Sequence, residues 1–401
     1  ELPHVKVIRR FQAWDELPVL PEGRIGIYVG SHTHFSEKQN RAIDRFCATY
    51  DAIVICDHTS GYYGKYKLLP TLVQLQSDIT SPFPPLDLMV HIGEISAASF
   101  NDTIPAKEVW RVSEDGELRD PFKKLTTVFQ MSEEIFFLHY GKDGCNRHVL
   151  IDECRELFGE IYEQIPELPF CNIWTAMQLS SRLPKGALFH MGVSNTRRCW
   201  NMFQLPESVE SACNVGCCGI DGCVSTLVGA SLVNPDRLCY VVVGDLTFFY
   251  DLNSLGNHHI GTNLRVMLVN NGRGTEFRLG IHHCNVFGDD ADKYMAAAGH
   301  FGNKSPLLVK HYAEDLGFHY LSATTKEEFM TALSNFTNPQ LSDHSMILEV
   351  FTDSKDESEA LYLMSHIQSD AKGMVRSKLK DAVRNVAGEK GINAIKKILK
   401  K

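Results

Sequence analysis

The sequence is poor in features that would take it outside the ordinary globular class. It has no apolar run near the roughly 20 residues a bilayer-crossing helix needs, and no secretory signal at its N-terminus. It also has no surplus of basic residues: 40 Lys and Arg face 49 Asp and Glu, for a net charge of −9. That balance argues against a nucleic-acid backbone as the main partner, because phosphates call for a basic face. A small anion held locally remains compatible with it. No C-x-x-C pair occurs among the 12 cysteines, which are scattered along a long chain instead of framing a short one. Free thiols in a reducing, cytoplasmic setting are expected. The cluster Cys213, Cys217, Cys218 and Cys223 surrounds a glycine-rich turn and reads as small buried side chains instead of a zinc site. A G-x-G-x-x-G following a first strand is absent as well, which removes the main support for a nucleotide-binding dehydrogenase.

What is present fits a folded protein of two domains. Hydrophobic residues make up 44% and charged residues 22%, and 401 residues exceed what one core holds, since single cores stop growing at roughly 250–300 residues. The domains are expected at residues 1–145 and 146–371, followed by a basic helix or tail at 372–401. In that tail Ile392, Ile395, Ile398 and Leu399 recur at helical spacing. The chain opens on Glu1 and a short polar lead-in without an initiator methionine, so it is expected to be processed, or cut from something longer.

Short apolar runs alternate with helical patterns throughout, the signal of parallel sheets covered by helices. The first region reads as Arg24–Val29, a helix over Ser36–Tyr50, Ala52–Cys56, a helical pattern over Tyr66–Gln76, and Leu86–Ile92. Further strands are expected at Glu108–Val112 and Ile135–His139. Ser36-Glu37-Lys38-Gln39 has the form of a capping box. Helices near His148–Gln164 and Phe170–Leu183 form the boundary zone. The second region reads as Ala187–Met191, a helix from Ser194, a glycine-rich turn at Asn214–Gly222, a helix to Val233, Leu238–Val243, a helix, and Leu264–Val269. A long loop follows, then helices near Asp292–Phe301 and Leu307–Leu316, His319–Ser322, a helix over Lys326–Asn335, and Met346–Phe351. The fold class is therefore α/β, with two doubly wound domains and mostly parallel sheets.

Chemistry concentrates where two buried strands end. Cys239–Val243 runs into Gly244-Asp245, and Leu264–Val269 runs into Asn270-Asn271-Gly272-Arg273-Gly274. One crossover joins these strands, and right-handed crossovers return the chain to the same edge of a sheet. Asp245 and Asn271 therefore converge, at the strand ends where open α/β sheets bind ligands. A carboxylate, an amide oxygen and the backbone carbonyl of Arg273 make an oxygen-only set that suits Mg²⁺, with positions left for phosphate oxygens and water. Flanking glycines let the backbone come close to a ligand. Taken singly, Gly-Asp and Asn-Asn-Gly are ordinary turn sequences; together, about one crossover apart, they match the thiamine-diphosphate signature.

The neighbouring motifs narrow this further. Asn214-Val215-Gly216-Cys217-Cys218-Gly219-Ile220-Asp221-Gly222, followed by Ser225-Thr226 and Gly229, and the run Gly244-Asp245-Leu246-Thr247-Phe248-Phe249-Tyr250-Asp251-Leu252-Asn253-Ser254-Leu255, resemble the 2-succinyl-5-enolpyruvyl-6-hydroxy-3-cyclohexene-1-carboxylate synthases of menaquinone biosynthesis. The match is close through Gly-Ile-Asp-Gly and Asp-Leu-Asn-x-Leu and extends less closely over most of the second domain. The first domain is similar to that family's central, cofactor-free domain. The resemblance implies Asp245, Asn271 and the Arg273 carbonyl as magnesium ligands. It places Ser194, Gly219, Ile220, Gly244, Leu246, Thr247, Gly274 and Thr275 beside the cofactor, with Ile220 as the apolar residue that bends it. Ser194 and Arg198 match a segment that meets substrate and cofactor, and an arginine there suits a substrate carboxylate. In the loop Thr275–Asp290, which has the position of an active-site cover, Phe277 is a substrate candidate. Glu276 lies in the same loop, and its His282 and His283 are candidates for proton transfer.

The resemblance also implies a pyrimidine-binding domain that supplies an activating glutamate, and no counterpart is recognised in this sequence. The catalytic residue is accordingly left unassigned. Val215 stands where the family has an arginine for its anionic substrate, and Gly272-Arg273 replaces an Asn-Gly pair. The implied activity is thiamine-diphosphate- and Mg-dependent decarboxylation of a 2-oxo acid, with transfer of the acyl carbanion equivalent to an acceptor. A homo-oligomer is implied, with the pyrimidine domain in cis or on another subunit. The alternative is a non-catalytic subunit or fragment that holds the cofactor for such a domain.

Overall fold

A computed structural model describes residues 7–79, 83–94, 104–216, 219–279, 282–294, 302 and 304–369. The first part of the chain contributes β1 (Arg9–Gln12), β2 (Ile25–Val29), α1 (Glu37–Tyr50), β3 (Ile53–Ile55), β4 (Lys67–Leu68), α2 (Thr71–Leu75) and β5 (Leu86–Ile92). It continues with β6 (Ala106–Ser113), β7 (Leu125–Gln130), α3 (Glu133–Tyr140), α4 (Val149–Glu163) and α5 (Asn172–Leu179). The second part contributes β8 (Leu188–Met191), α6 (Asn195–Trp200), β9 (Glu210–Cys213), α7 (Cys223–Val233), β10 (Cys239–Gly244), α8 (Asp245–Asp251) and β11 (Leu264–Asn270). After it come α9 (Ala291–Tyr294), α10 (Leu308–Asp315), β12 (His319–Ala323), α11 (Lys326–Phe336), β13 (Met346–Phe351) and α12 (Ser354–Ser365).

The strands form two sheets, ordered β1-β7-β6-β5-β2-β3-β4 and β12-β13-β11-β10-β8-β9, and every strand pairing within them is parallel. The α/β class with two doubly wound parallel sheets is thus borne out. Helices cover both faces, so the central strands read as unbroken apolar runs: all seven residues of β11 are buried. Their side chains still alternate. Val241, Val243, Val266 and Leu268 meet Val224 and Leu227 of α7, while Tyr240, Val242, Met267 and Val269 join the larger core that continues into the first sheet. Each buried Val or Leu contributes roughly 1.5–3 kcal/mol of transfer free energy.

Each sheet reverses its winding beside its central strands, and the second turns back once more between β12 and β13. In the first, the chain lays β3 and β4 on one side of β2 and then β5, β6 and β7 on the other. In the second, β9 lies on one side of β8, and β10 and β11 lie on the other. These two switch points are where α/β sheets open crevices at the carboxyl ends of their strands.

Several boundaries differ from expectation, for physical reasons. Ile135–His139 is not a strand but part of α3, because Ser132 caps the Ile135 N–H and Glu133 and Glu134 fill the first turn; the strand there is β7, immediately upstream. Tyr66–Gln76 divides into β4 and the short α2 around Pro70. The edge strands β1 and β9, and helix α12, were not anticipated. The capping box of α1 is present as expected, with Ser36 and Gln39 bonded reciprocally. No disulfide joins the described cysteines to one another, and no described helix is long and apolar enough to cross a membrane. The tail 372–401, Cys217 and Cys218, and most of the helix expected at Asp292–Phe301 lie outside the described residues.

The sheets are tied together directly. The His58 N–H donates to Asn201 Oδ1 at 2.9 Å, and Ser211 Oγ donates to the His58 carbonyl at 2.7 Å. Helix α4 packs beside α2 and β4. At the far end of the chain, the Ser77 N–H donates to the Ser365 carbonyl at 2.8 Å, and Gln76 bonds both Met364 and Gln368.

Candidate functional site

The second switch point lies between β8 and β10. Register pairs Gly244 with Val269, so Asp245 leaves β10 as Asn270 and Asn271 leave β11. The convergence expected from the crossover is present. Asp245 is 2% exposed, and its Oδ1 accepts the Leu246 N–H at 2.8 Å as α8 begins. A Cβ built on Gly244 would meet nothing within 4 Å, so the backbone faces open space there.

The two asparagines have different tasks. Asn270 Nδ2 donates to Glu349 Oε1 at 2.7 Å, and Tyr320 donates to Glu349 Oε2 at 2.7 Å, a buried chain that fixes the end of β11 to β13 and β12. Burial outweighs these bonds and raises the Glu349 pKa. Asn271 Oδ1, by contrast, is buried without a hydrogen-bond partner, and so is Oγ1 of Thr275, four residues on. A buried acceptor left unpaired carries a desolvation penalty of about 1–3 kcal/mol, so this loop stores a cost that an electropositive ligand would relieve. Gly272 at φ +79° makes the turn between them. The Arg273 carbonyl accepts the Thr275 N–H at 3.0 Å and, having two lone pairs, keeps one for a second partner. Gly274 precedes the 3-10 turn Thr275–Arg278.

Across β10, β8 ends in Gly192-Val193-Ser194. Ser194 is exposed and has φ +61° and ψ −123°, a conformation sparsely used by residues with a Cβ. Arg198, one turn into α6, does not point into open space. Its Nη1 and Nη2 donate to Glu276 Oε2 and Oε1 at 2.9 and 2.8 Å. Burial works against the guanidinium charge, but the bonds and charge of Glu276 prevail and raise the Arg198 pKa. Phe277 packs edge-on against His282, ring centroids 5.2 Å apart, and the His282 Nδ1 accepts the Cys284 N–H. The side chain of His283 lies outside the described residues.

The glycine turn with half-buried Gly219 and Ile220 leads into α7 through Gly222 at φ +78°. Asp251, at the end of α8, accepts the Ser225 N–H at 2.6 Å. The second acid of the long motif therefore acts as a structural cap, joining α7 to α8. One further group had no sequence signal. Glu357 is 1% exposed; its Oε1 accepts from the Asn172 N–H and Thr352 Oγ1, and its Oε2 has no partner. Burial lifts its pKa to about 7, and its helix α12 touches the Thr275–Arg278 turn. Among the described residues no group of three or more His, Cys, Asp or Glu could hold a metal ion, so a cation at Asp245 would depend on amide, carbonyl and ligand oxygens.

Fold and strand-end chemistry define an α/β protein whose second switch point offers a partly dry, oxygen-lined site. Comparison with known proteins gives that class a closer likeness: the chain resembles the thiamine-diphosphate enzyme 2-succinyl-5-enolpyruvyl-6-hydroxy-3-cyclohexene-1-carboxylate synthase. It is 34% identical to that synthase from Bacteroides fragilis over 263 residues, 64% of this chain and 45% of the relative. It is 32% identical to the synthase from Phocaeicola vulgatus over 265 residues, and 33% identical to that from Christiangramia forsetii over 199. The chain spans about half the length or less of these relatives. No family model matches it.

Proposed function

We propose that residues 146–371 hold thiamine diphosphate through a magnesium ion, with residues 1–145 as a cofactor-free domain beside them. The observation that carries this reading is the emergence of Asp245 and Asn271 from adjacent parallel strands at a switch point, together with the buried, unpartnered Asn271 Oδ1 and Thr275 Oγ1. Such oxygens fit a hard divalent cation. The Asp245 carboxylate, Asn271 Oδ1 and the Arg273 carbonyl are the protein's donors to it. Gly244, Leu246, Thr247, Gly274 and Thr275 lie on the diphosphate side, Gly219, Ile220 and Ser194 support the rest of the cofactor, and Arg198 and Phe277 face the substrate.

When bound, thiamine diphosphate supplies the electron sink for loss of CO₂ from a 2-oxo acid and transfer of the remaining acyl unit to an acceptor. The chain contributes binding, orientation and exclusion of water. Contacts to the pyrimidine ring come from a further domain, in cis or from another subunit of a homo-oligomer, since the relatives are about twice as long as the matched region. Calorimetric titration checks the assignment. Thiamine diphosphate and inorganic pyrophosphate should each bind only with Mg²⁺ present and be released by chelation; failure of both to bind in excess Mg²⁺ would sink it. Release of CO₂ from 2-oxo acids by the loaded chain separates a carboligase from a unit that only holds the cofactor.

A further inference from the structure

We infer that Glu276 is an internal carboxylate occupying the guanidinium fork of Arg198, and that it directs the site toward 2-oxo acids with an uncharged chain and away from 2-oxo dicarboxylates. The inference rests on the cofactor reading above and names the donor class for that site.

The geometry is that of an arginine already bound to its preferred ligand. A planar guanidinium recognises a carboxylate through two parallel N–H···O bonds, and Glu276 takes both at 2.8–2.9 Å while Asn195 Oδ1 accepts a third from Nη1 at 3.3 Å. The side chains are only 13% and 22% exposed, so the pair is largely shielded from water and from screening salt. Its position gives it a role in selection. Arg198 belongs to the helix that follows β8 and Glu276 to the turn that follows β11, the two strands flanking β10. The ion pair therefore ties together the two neighbours of β10 at the end where Asp245 emerges.

A second substrate carboxylate would have to displace Glu276, leaving a mostly buried acid without its partner, or lie beside it against like charge. An uncharged chain meets neither obstacle. The adjacent arginine is engaged in the same way: Arg197 lies 4.0 Å from Asp57. The product named for the relatives carries a succinyl group, an acyl unit with its own carboxylate, so the donor class assigned here departs from theirs.

The test uses the full chain with thiamine diphosphate and Mg²⁺, titrated with 2-oxobutyrate and with 2-oxoglutarate. The wild type should bind 2-oxobutyrate more tightly by about tenfold, the scale of one charge-assisted hydrogen bond. In Glu276→Gln the ratio should swing toward 2-oxoglutarate by at least about tenfold, with cofactor affinity unchanged. The double variant Arg198→Met/Glu276→Gln, which removes both buried charges together, should lose that gain, showing that Glu276 acts through Arg198. A wild-type preference for 2-oxoglutarate, or an unmoved ratio in Glu276→Gln, with the cofactor still bound, overturns this inference alone. Absence of cofactor binding removes the proposed function and this inference with it.

Discussion

The two sheets share a winding rule and part company at their switch points. At the first, between β2 and β5, the strand ends are stitched together: the Ser31 N–H donates to the Glu94 carbonyl and the Glu94 N–H to the Ser31 carbonyl at 2.6 and 2.9 Å. A Cβ on Gly30 would lie 2.1 Å from that Glu94 oxygen. Above the stitch, fully buried Arg111 bonds the Gly93 carbonyl and stands 3.4 Å from His91 Nδ1, and burial, with the arginine, pulls the His91 pKa to about 3. At the second switch point Gly244 faces open space, and buried oxygens of Asn271 and Thr275 lack partners. Topology thus supplies two crevices of the same kind. Local chemistry separates them: the first has its strand ends pinned by backbone bonds beside a cavity lined by Ser31, Glu94 and Arg111, while the second keeps buried acceptors for a cation.

The largest effect that can break this contrast comes from Asp245→Ala. It should lower Mg²⁺-dependent thiamine diphosphate affinity by about a thousandfold, roughly 4 kcal/mol, whereas Glu94→Ala at the first switch point should leave that affinity unchanged; equal losses by calorimetry would erase the distinction. Next come the two glycines. Gly30→Ala forces a Cβ onto a backbone carbonyl and should cost about 3 kcal/mol of stability without touching cofactor affinity. Gly244→Ala should leave the denaturation midpoint nearly unmoved and weaken cofactor binding by filling the space a ligand needs.

The third effect concerns pH. The folded protein holds the Glu357 proton up to about pH 7, against an ordinary value of 4.5. The native state therefore binds more protons than the unfolded chain between about pH 4.5 and 7, and stability contributed through Glu357 falls as pH rises across that window. Buried His58, His91 and His190, with pKa values pulled down to about 4, 3 and 4, act with the opposite sign on the acid side. The difference between wild type and Glu357→Gln isolates the acid: the variant should gain on the wild type by about 2–3 kcal/mol from pH 4.5 to 7, and a flat difference would place the proton elsewhere. The smallest effect sharpens the roles of adjacent amides. Asn270→Ala should lower stability by about 1–2 kcal/mol through the loss of the Glu349 bond, while Asn271→Ala should spare stability and weaken magnesium-dependent binding; a reversed pattern in chemical denaturation would exchange their assignments.

Most of the fold was readable because the central strands are covered on both faces and therefore spelled as apolar runs. Edge strands β1 and β9 carry no such spelling: Arg9-Arg10-Phe11-Gln12 and Glu210–Cys213 are half-buried or exposed and pair on one side only. Strand β7 was obscured by polar residues, Thr127 among them, which is fully buried. The convergence of Asp245 and Asn271 was legible because strand ends and one crossover dictate it. What lay beyond local reading was pairing at a distance: Glu276 meets Arg198 across 78 positions, and Glu357, in an acid-rich first turn, reads as a solvated helix start until packing buries it.

Helix α12 closes against α2, nearly 290 positions earlier, through Gln76, Ser77 and their partners. In space the chain is therefore a ring with a clasp, although in sequence it reads as two consecutive units. Such an arrangement makes cooperativity a property of the whole. Opening the clasp withdraws support from α2 on the first sheet and from Glu357 and the turn it touches on the second, so a single melting transition shared by both sheets is the expected outcome.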